Sequence, residues 1–201
     1  TSQLPQGINK YKPTRDIPIL CKDHVAYVGD AVAFIVADTI IQAEDAAELI
    51  DIRYKDRAAI VDARAALENG APTTAPDIAS NLADTHHLGN AKNTDAAFAK
   101  AHHVTKIAFW NNRLISDYME TRSAIGEWKQ DENRFHLTFG SQGVHSIRNK
   151  IAETVFDIGK DGLRAITKDV GGGFGPKAWA YREYPLVLES AKRLGHPVKW
   201  T

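Results

Sequence analysis

The residues of this sequence with the clearest chemical potential form a glycine-rich stretch, Gly-Gly-Gly-Phe-Gly at positions 171–175. Residues 163–170 place apolar side chains at alternate positions towards their end, which predicts a strand running into this stretch. Glycine permits backbone angles that other residues resist and allows close approach to the main chain. A row of backbone N–H groups after a strand can hold an anion or an oxo group. The alternative is a tight structural turn, because glycine is common in loops of every kind.

The spacing of the stretch excludes two familiar phosphate-binding loops. The dinucleotide-binding pattern G-x-G-x-x-G, begun at Gly171, requires a glycine where Pro176 stands. A P-loop requires Ser or Thr after Gly-Lys, whereas Pro176-Lys177 is followed by Ala178. A nucleotide-binding protein that uses this loop is therefore disfavoured.

The composition is that of an ordinary globular protein, with 43% hydrophobic and 25% charged residues among 201. The formal net charge is zero, so there is no electrostatic case for a nucleic-acid partner or an acidic membrane surface. The single cysteine, Cys21, excludes an internal disulfide and a cysteine-only metal cage, and it fits a reducing compartment. No apolar run approaches the roughly 20 residues of a membrane span.

The first part of the chain predicts an α+β unit of about 70 residues. Asp38 and Thr39 are candidate caps for a helix that begins near Ile40. The other predicted elements are strands at 25–28, 31–37 and 50–54, and a helical turn at 62–67. The polar segment 70–93, which contains prolines and glycines, predicts a domain boundary.

The second part predicts further strands and helices around the glycine-rich stretch. Thr94 is the predicted cap of a short helix at 95–101, and a β-prone segment follows at 102–114. The remaining predicted elements are a hairpin formed by 123–129 and 134–139, a helix with Ile147, Ile151, Val155 and Ile158 on one face, a helix at 183–194 with Pro185 in its first turn and Gly195 as its stop, and the start of a strand at 197–201.

The order of these motifs is more specific than any one of them. A strand ends in Gly140-Ser141-Gln142, and a helix and a strand then lead into residues 169–175. Asn-Arg-Leu-Ile at 112–115 and Met-Glu-Thr-Arg at 119–122 precede them. In this order and spacing the motifs resemble the large, molybdenum-binding subunit of the xanthine oxidase / aldehyde oxidase / carbon monoxide dehydrogenase family. The bacterial carbon monoxide dehydrogenase-like branch is nearest, and the resemblance covers essentially the whole chain.

The resemblance implies an α+β fold in two parts. Residues 1–84 are expected to form a partial α/β hammerhead domain that lacks its first strands. Residues 85–201 are expected to form the first part of the first molybdopterin-binding domain, with a mixed sheet and packed helices. The chain begins with Thr1 rather than Met and stops as a strand begins, so we expect it to be a fragment of a longer subunit whose second cofactor-binding domain lies beyond Thr201.

The resemblance also implies a function. Members of the family oxidise CO, an aldehyde or an N-heterocycle at a molybdenum–pterin centre, with the pterin expected here in its cytosine dinucleotide form. Electrons pass to an iron–sulfur small subunit and an FAD medium subunit, in a cytoplasmic dimer of heterotrimers. The family's general-base glutamate is expected beyond Thr201, so this fragment contains no catalytic residue and is expected to be inactive alone.

Five residues of the chain match cofactor-contacting positions of the family. The resemblance places the side-chain amide of Gln142 beside the molybdenum as a hydrogen-bond donor, not as a metal ligand. Gly172, Gly173, Phe174 and Gly175 match the cofactor-contacting loop, in which the N–H groups of Phe174 and Gly175 face the metal ligands or the pterin. Phe174 is expected to form a wall of the substrate pocket, with ordinary core packing as the alternative.

Several other residues invite an interpretation. Glu120 and Arg122 alternate on a predicted strand and share a face, and the family pattern implies an ion pair between them that braces the sheet. The pairs His86-His87 and His102-His103 are poor chelates, because neighbours on a strand point to opposite faces. Cys21 is expected to be inert. Ala178 stands where the purine-oxidising branch has a glutamate, which disfavours a purine substrate.

A non-catalytic binding or assembly module that keeps the fold is the competing hypothesis. Retention of Gln142 and of all four glycines argues against it, because glycines carry an entropic cost that a decayed site has no reason to keep.

Overall fold

The computed structural model describes residues 18–201. The first 17 residues of the predicted hammerhead region lie outside the described part. The helices and strands are α1 (Ile40–Glu48), α2 (Ala91–Lys100), β1 (Ala124–Lys129), β2 (Arg134–Phe139), α3 (Val144–Asn149), β3 (Leu163–Ile166), α4 (Glu183–Leu194) and β4 (Val198–Trp200). Short 3₁₀ turns occupy Ala65–Leu67, Lys160–Gly162 and Pro176–Ala178, and a π-helical segment, Lys150–Val155, continues α3.

The strands form one mixed sheet in the order β3-β2-β1-β4. β1 and β2 make the predicted antiparallel hairpin, in which Ala124 pairs with Phe139 and Lys129 with Arg134. β4 pairs with β1, also antiparallel, whereas β2 and β3 are parallel and are connected through α3. Since the carboxyl ends of parallel strands meet at the same edge of a sheet, the segments that follow β2 and β3 are brought together.

The core lies between the sheet and the helices α3 and α4. α4 begins at Glu183 and ends at Leu194, and Gly195 caps it in the left-handed region with φ of 70°, as the sequence predicts. The helix approaches β1 very closely at Gly126, where an added Cβ would stand 2.6 Å from the Val187 backbone carbonyl. The buried apolar residues of this core are Ala124, Phe135, Leu137, Phe139, Ile147, Ile151, Ala152, Leu163, Tyr184, Val187, Leu188, Ala191 and Val198.

The helix after Gly143 buries Ile147, Ile151 and Val155, as predicted. Ile158, the fourth residue predicted on that face, lies beyond the end of the helical segment at Val155 and is half-buried. Its second half widens into the π-helical segment. The strand predicted at 163–170 is shorter than expected and ends at Ile166, which pairs with Thr138 at the end of the shared ladder. Beyond that point no strand of residues 18–201 continues the pairing.

In residues 18–123 the predicted helices form. Thr39 caps α1 in a capping box with Gln42, and Asp62 accepts two backbone N–H groups at the turn that leads into Ala65–Leu67. α2 begins earlier than predicted, because the Asn90 side chain, not Thr94, caps it by accepting the Asn93 N–H.

The strands predicted at 25–28, 31–37, 50–54 and 102–114 are absent from the described residues 18–123. The turn at Gly29-Asp30 does form, with the Asp30 N–H donating to the Tyr27 carbonyl at 3.2 Å. Its flanks do not pair, because the Asp30 carboxylate takes the Ala26 N–H and the Ala31 carbonyl accepts the Cys21 N–H. These segments leave large apolar side chains exposed, among them Val28, Tyr54 and Trp110.

Two contacts join the start of the described chain to its carboxyl-terminal part. Ile19 is buried against Val155 and Leu186. Arg182, just before α4, forms an ion pair with Asp30 at 2.8 Å, and only 4% of the Asp30 side chain is exposed. α4 is therefore packed against the sheet on one side and anchored to the 19–30 segment at its amino end.

Candidate functional site

The candidate site lies where the chain leaves β2 and β3. Gln142 follows β2 by three residues, and residues 171–175 follow β3 by five. Because the two strands are parallel, these segments meet at one edge of the sheet. The structure therefore brings all five predicted cofactor-contacting residues together.

Gln142 is held at both its main chain and its side chain. Its backbone N–H donates to the Lys177 carbonyl at 3.0 Å. Its side-chain oxygen accepts the Gly175 N–H at 2.8 Å. Since a backbone N–H can only donate, the atom that faces Gly175 must be the amide oxygen, which leaves the Nε2 group as the available donor.

The loop has a backbone that few sequences can adopt. Gly172 and Gly175 have φ of 90° and 104°, and Phe174 lies in the left-handed region at 48°. At Gly173 the constraint is space, because an added Cβ would lie 2.6 Å from the Gln142 side chain. The glycines thus serve both the backbone angles and the close approach of Gln142.

The N–H groups of the loop divide into two sets. Gly171 donates to the Glu120 carboxylate at 2.8 Å, and Gly175 donates to Gln142. Within residues 18–201, the N–H groups of Gly173 and Phe174 have no hydrogen-bond partner. The Gly175 N–H is therefore engaged by the Gln142 oxygen, and its expected donation to the metal ligands or the pterin stays a prediction.

Glu120 and Lys177 form an ion pair at the base of the loop. Lys177 Nζ lies 2.5 Å from Glu120 Oε2, and none of the Lys177 side chain is exposed. The hydrogen bond from Lys177, followed by that from the Gly171 N–H, lowers the pKa of Glu120. Sequence analysis missed Lys177, because a lysine next to a glycine-rich loop carries no signal that it is buried.

The predicted ion pair between Glu120 and Arg122 is wrong. Residues 119–123 do not form a strand, so the two side chains reach different partners. Arg122 binds Glu183 at the start of α4 at 3.3 Å and lies over the Tyr181 ring, with 3.7 Å from Cζ to the ring centroid. Each residue braces the site region, but through a separate ion pair.

Phe174 does not pack in the core, so the alternative prediction for this residue is wrong. Its side chain is 73% exposed. The edge of its ring covers Gly172, where an added Cβ would stand 3.0 Å from the ring. Phe174 therefore presents an aromatic surface beside the loop, as a pocket wall would.

The histidine pairs and Cys21 do not form a metal site. Within residues 18–201 no group of three or more His, Cys, Asp or Glu side chains is placed to hold a metal ion. Burial, followed by the charge of Asp30, raises the pKa of the Cys21 thiol, which disfavours the reactive thiolate. None of the helices in the described range has the length and apolar character of a membrane span.

The sequence matches two known protein families. The family described as "Molybdopterin cofactor-binding domain" matches residues 74–201. The family described as "Aldehyde oxidase and xanthine dehydrogenase, a/b hammerhead domain" matches residues 1–58. Together the two matches cover most of the sequence.

Individual relatives are similar over nearly the whole chain. The nicotine 6-hydroxylase large subunit of Paenarthrobacter nicotinovorans is 32% identical over 92% of this chain and 22% of its own length. The carbon monoxide dehydrogenase large chain of Afipia carboxidovorans is 30% identical over 90% of this chain and 24% of its own. The solved structure of reconstituted CO dehydrogenase from Oligotropha carboxidovorans superposes with a TM-score of 0.82 at 29% identity, covering 98% of this chain and 25% of the other. The chain thus spans about a quarter of the length of the relatives it matches.

Proposed function

The chain belongs to the family of molybdopterin-binding large subunits that includes carbon monoxide dehydrogenase and xanthine dehydrogenase, and we propose that it forms part of the molybdenum–pterin site of a molybdenum hydroxylase. Gln142, Gly172, Gly173, Phe174 and Gly175 are the residues that contact the cofactor in this proposal. The observation that most directly supports this proposal is the hydrogen bond from the Gly175 N–H to the Gln142 side-chain oxygen.

The residues present fit such a cofactor. The Gln142 oxygen is occupied by a backbone donor, so its Nε2 can donate to an oxygen atom of the bound group without ligating the metal. The N–H groups of Gly173 and Phe174, which lack a partner in the described chain, supply two more donors. A set of neutral donors suits the oxo ligand and the anionic oxygens of a molybdenum–pterin group.

When bound, the cofactor supplies the two-electron oxidation–reduction chemistry of the reaction. The protein's own residues orient the group and donate hydrogen bonds to it. Gln142 directs one donor from the end of β2, and the loop directs its N–H groups from the end of β3. Phe174 forms one wall of the substrate pocket in this proposal.

We propose CO, an aldehyde or an N-heterocycle as the substrate class. The printed names of two relatives refer to nicotine and to carbon monoxide, so similarity alone does not choose among these. Ala178 ends the 3₁₀ turn that follows the loop and carries no ionisable group. Through the resemblance, its identity argues against a purine, which we leave out of the proposed substrates.

The other parts of the proposal rest on the resemblance alone. They are the cytosine dinucleotide form of the cofactor, the iron–sulfur and FAD partner subunits, the dimer of heterotrimers, the cytoplasmic location, the boundary between residues 84 and 85, and a general-base glutamate beyond Thr201. Each stays a prediction.

The test is the molybdenum content of the complete polypeptide, purified from its native host and measured by elemental analysis. The proposal expects about one molybdenum per chain, as a single cofactor site requires. A substrate panel with an artificial electron acceptor then follows. A chain without molybdenum, prepared under conditions in which a known relative loads normally, would leave the competing hypothesis of a binding or assembly module.

A further inference from the structure

One carboxylate oxygen joins the two ends of the glycine-rich loop. Glu120 Oε2 accepts the Gly171 N–H at 2.8 Å and pairs with Lys177 Nζ at 2.5 Å. Gly171 stands at the start of the loop, and Lys177 follows its last left-handed residue, Gly175, by two positions. The loop is therefore closed across its base by a residue that lies outside it.

The ammonium group of Lys177 depends on this carboxylate. None of the Lys177 side chain is exposed, and the Tyr118 ring lies over Nζ with 4.8 Å to its centroid. In the described part of the chain, Glu120 is the carboxylate that pairs with it. A buried cation that loses its counter-ion is strongly unfavourable, so Lys177 has to follow the position of Glu120.

Lys177 in turn determines where Gln142 lies. The Lys177 carbonyl accepts the Gln142 N–H at 3.0 Å. At the other end of the same short segment, Gly175 binds the Gln142 side chain. A continuous set of contacts therefore runs from Glu120 through Lys177 to the main chain and side chain of Gln142.

We propose that Glu120 and Lys177 are a positioning pair that sets the direction of the Gln142 amide donor and of the loop N–H groups toward an oxygen of the bound cofactor. This inference rests on the proposed function. Neither side chain touches the cofactor or substrate, and both act through the loop. Three left-handed residues in four positions, Gly172, Phe174 and Gly175, need such an external constraint to persist.

Three variants of the complete polypeptide separate positioning from simple burial of a charge. Glu120→Gln keeps an oxygen for the Gly171 N–H but removes the negative charge. Lys177→Met removes the ammonium and keeps an apolar side chain of similar length. The double variant leaves no unpaired buried charge. Glu127→Gln is the matched control, because it breaks the half-buried Glu127–Lys129 pair within β1, away from the loop.

The first readout is hydrogen exchange of the amides of residues 171–177 in cofactor-free protein. We expect the double variant to keep its folded structure while loop exchange rises by about 10- to 100-fold, the effect on local opening of losing a hydrogen bond to a charged group. In the control variant, the amides of residues 171–177 should exchange at the wild-type rate. The second readout is the Mo(V) electron paramagnetic resonance spectrum of loaded protein, which should change in the double variant and not in the control.

The inference would be overturned if the double variant matched the wild type both in hydrogen exchange at residues 171–177 and in its Mo(V) spectrum. If the single variants fail to fold, the double variant decides, and Glu120→Asp offers a milder change that keeps the charge and shortens the side chain by one methylene. Glu120→Asp should raise loop exchange, and unchanged exchange would also count against the pair. A wild-type chain without molybdenum would refute the proposed function. The hydrogen-exchange result would still hold, because it is measured in cofactor-free protein.

Discussion

The side-chain oxygen of Gln142 lies 2.8 Å from the backbone nitrogen of Gly175, and this contact links the ends of two parallel strands. It gives the amide a defined orientation. An amide in this setting has two separable roles, because its oxygen holds the loop and its nitrogen remains available as a donor.

Gln142→Glu separates those two roles. A carboxylate can still accept the Gly175 N–H but cannot donate, so we expect the Gly175 amide to remain protected from exchange. Turnover of the loaded complete enzyme should fall by about 10²- to 10³-fold, the effect of removing one active-site donor. Gln130→Glu is the control, because Gln130 also accepts a donor, from Trp128 Nε1 in the β1–β2 hairpin. Equal turnover in the two variants would contradict the donor role.

Gly173→Ala tests the close approach of the loop to Gln142. The new methyl group would lie 2.6 Å from the Gln142 side chain, so Gln142 must move, at a cost of about 1–3 kcal/mol in the free energy of unfolding. We expect the molybdenum content per chain to fall as well. Gly159→Ala, at a position with no atom within 4 Å and φ of −61°, should leave both measurements unchanged. A Gly173 variant that loads normally would show that the contact is dispensable.

Gly126→Ala tests the packing of α4 on the sheet. Here the added Cβ meets main-chain atoms of Val187 and Leu188 at 2.6–2.7 Å, and the backbone cannot rotate away as a side chain can. We expect a loss of about 1–3 kcal/mol or more in urea unfolding. Because Gly126 lies in β1, away from the loop, hydrogen exchange at residues 171–177 should rise only in proportion to that global loss. A selective rise at the loop would contradict this description.

The Glu120–Lys177 pair predicts a specific pH dependence. The pKa of Glu120 is lowered in the folded state, by Lys177 first and the Gly171 N–H second. Its stabilising contribution is therefore complete above the ordinary glutamate pKa of about 4.3 and is lost as the pH falls through the lowered folded value.

The measurement is the difference in unfolding free energy between wild type and Glu120→Gln, from about pH 6 to pH 3. We expect that difference to be constant at the upper end and to shrink below about pH 4.3. Asp62→Asn serves as the comparison, because the pKa of Asp62 is also lowered, by the N–H groups of Ala65 and Arg64. Asp62→Asn should change the unfolding free energy at acidic pH without changing hydrogen exchange at residues 171–177. If the difference in unfolding free energy between wild type and Glu120→Gln did not vary with pH, the ion pair would be ruled out as its source.

The sequence predicted the elements that are decided locally. The hairpin, the Thr39 cap, and the Pro185 and Gly195 limits of α4 depend on side chains within a few positions of one another. The strands predicted in the first half failed because a strand also needs a partner, which residues 18–123 do not supply within the described chain. In the site, Gln142 and the loop were identified through the order of their motifs. The pairing of Glu120 with Lys177 was not, because it joins residues 57 positions apart.

The parallel pairing of β2 with β3 also orders the events of folding. The β1–β2 hairpin joins residues that are close in sequence, whereas the β2–β3 pairing spans α3 and the Glu120–Lys177 pair spans 57 positions, so we expect these contacts to form in that order. Contacts of such wide separation form slowly. During synthesis, the loop can adopt its closed form only when Lys177 has left the ribosome. We therefore expect cofactor insertion to act on a folded chain, and pulse-labelled hydrogen exchange should show the hairpin amides protected before that of Gly175.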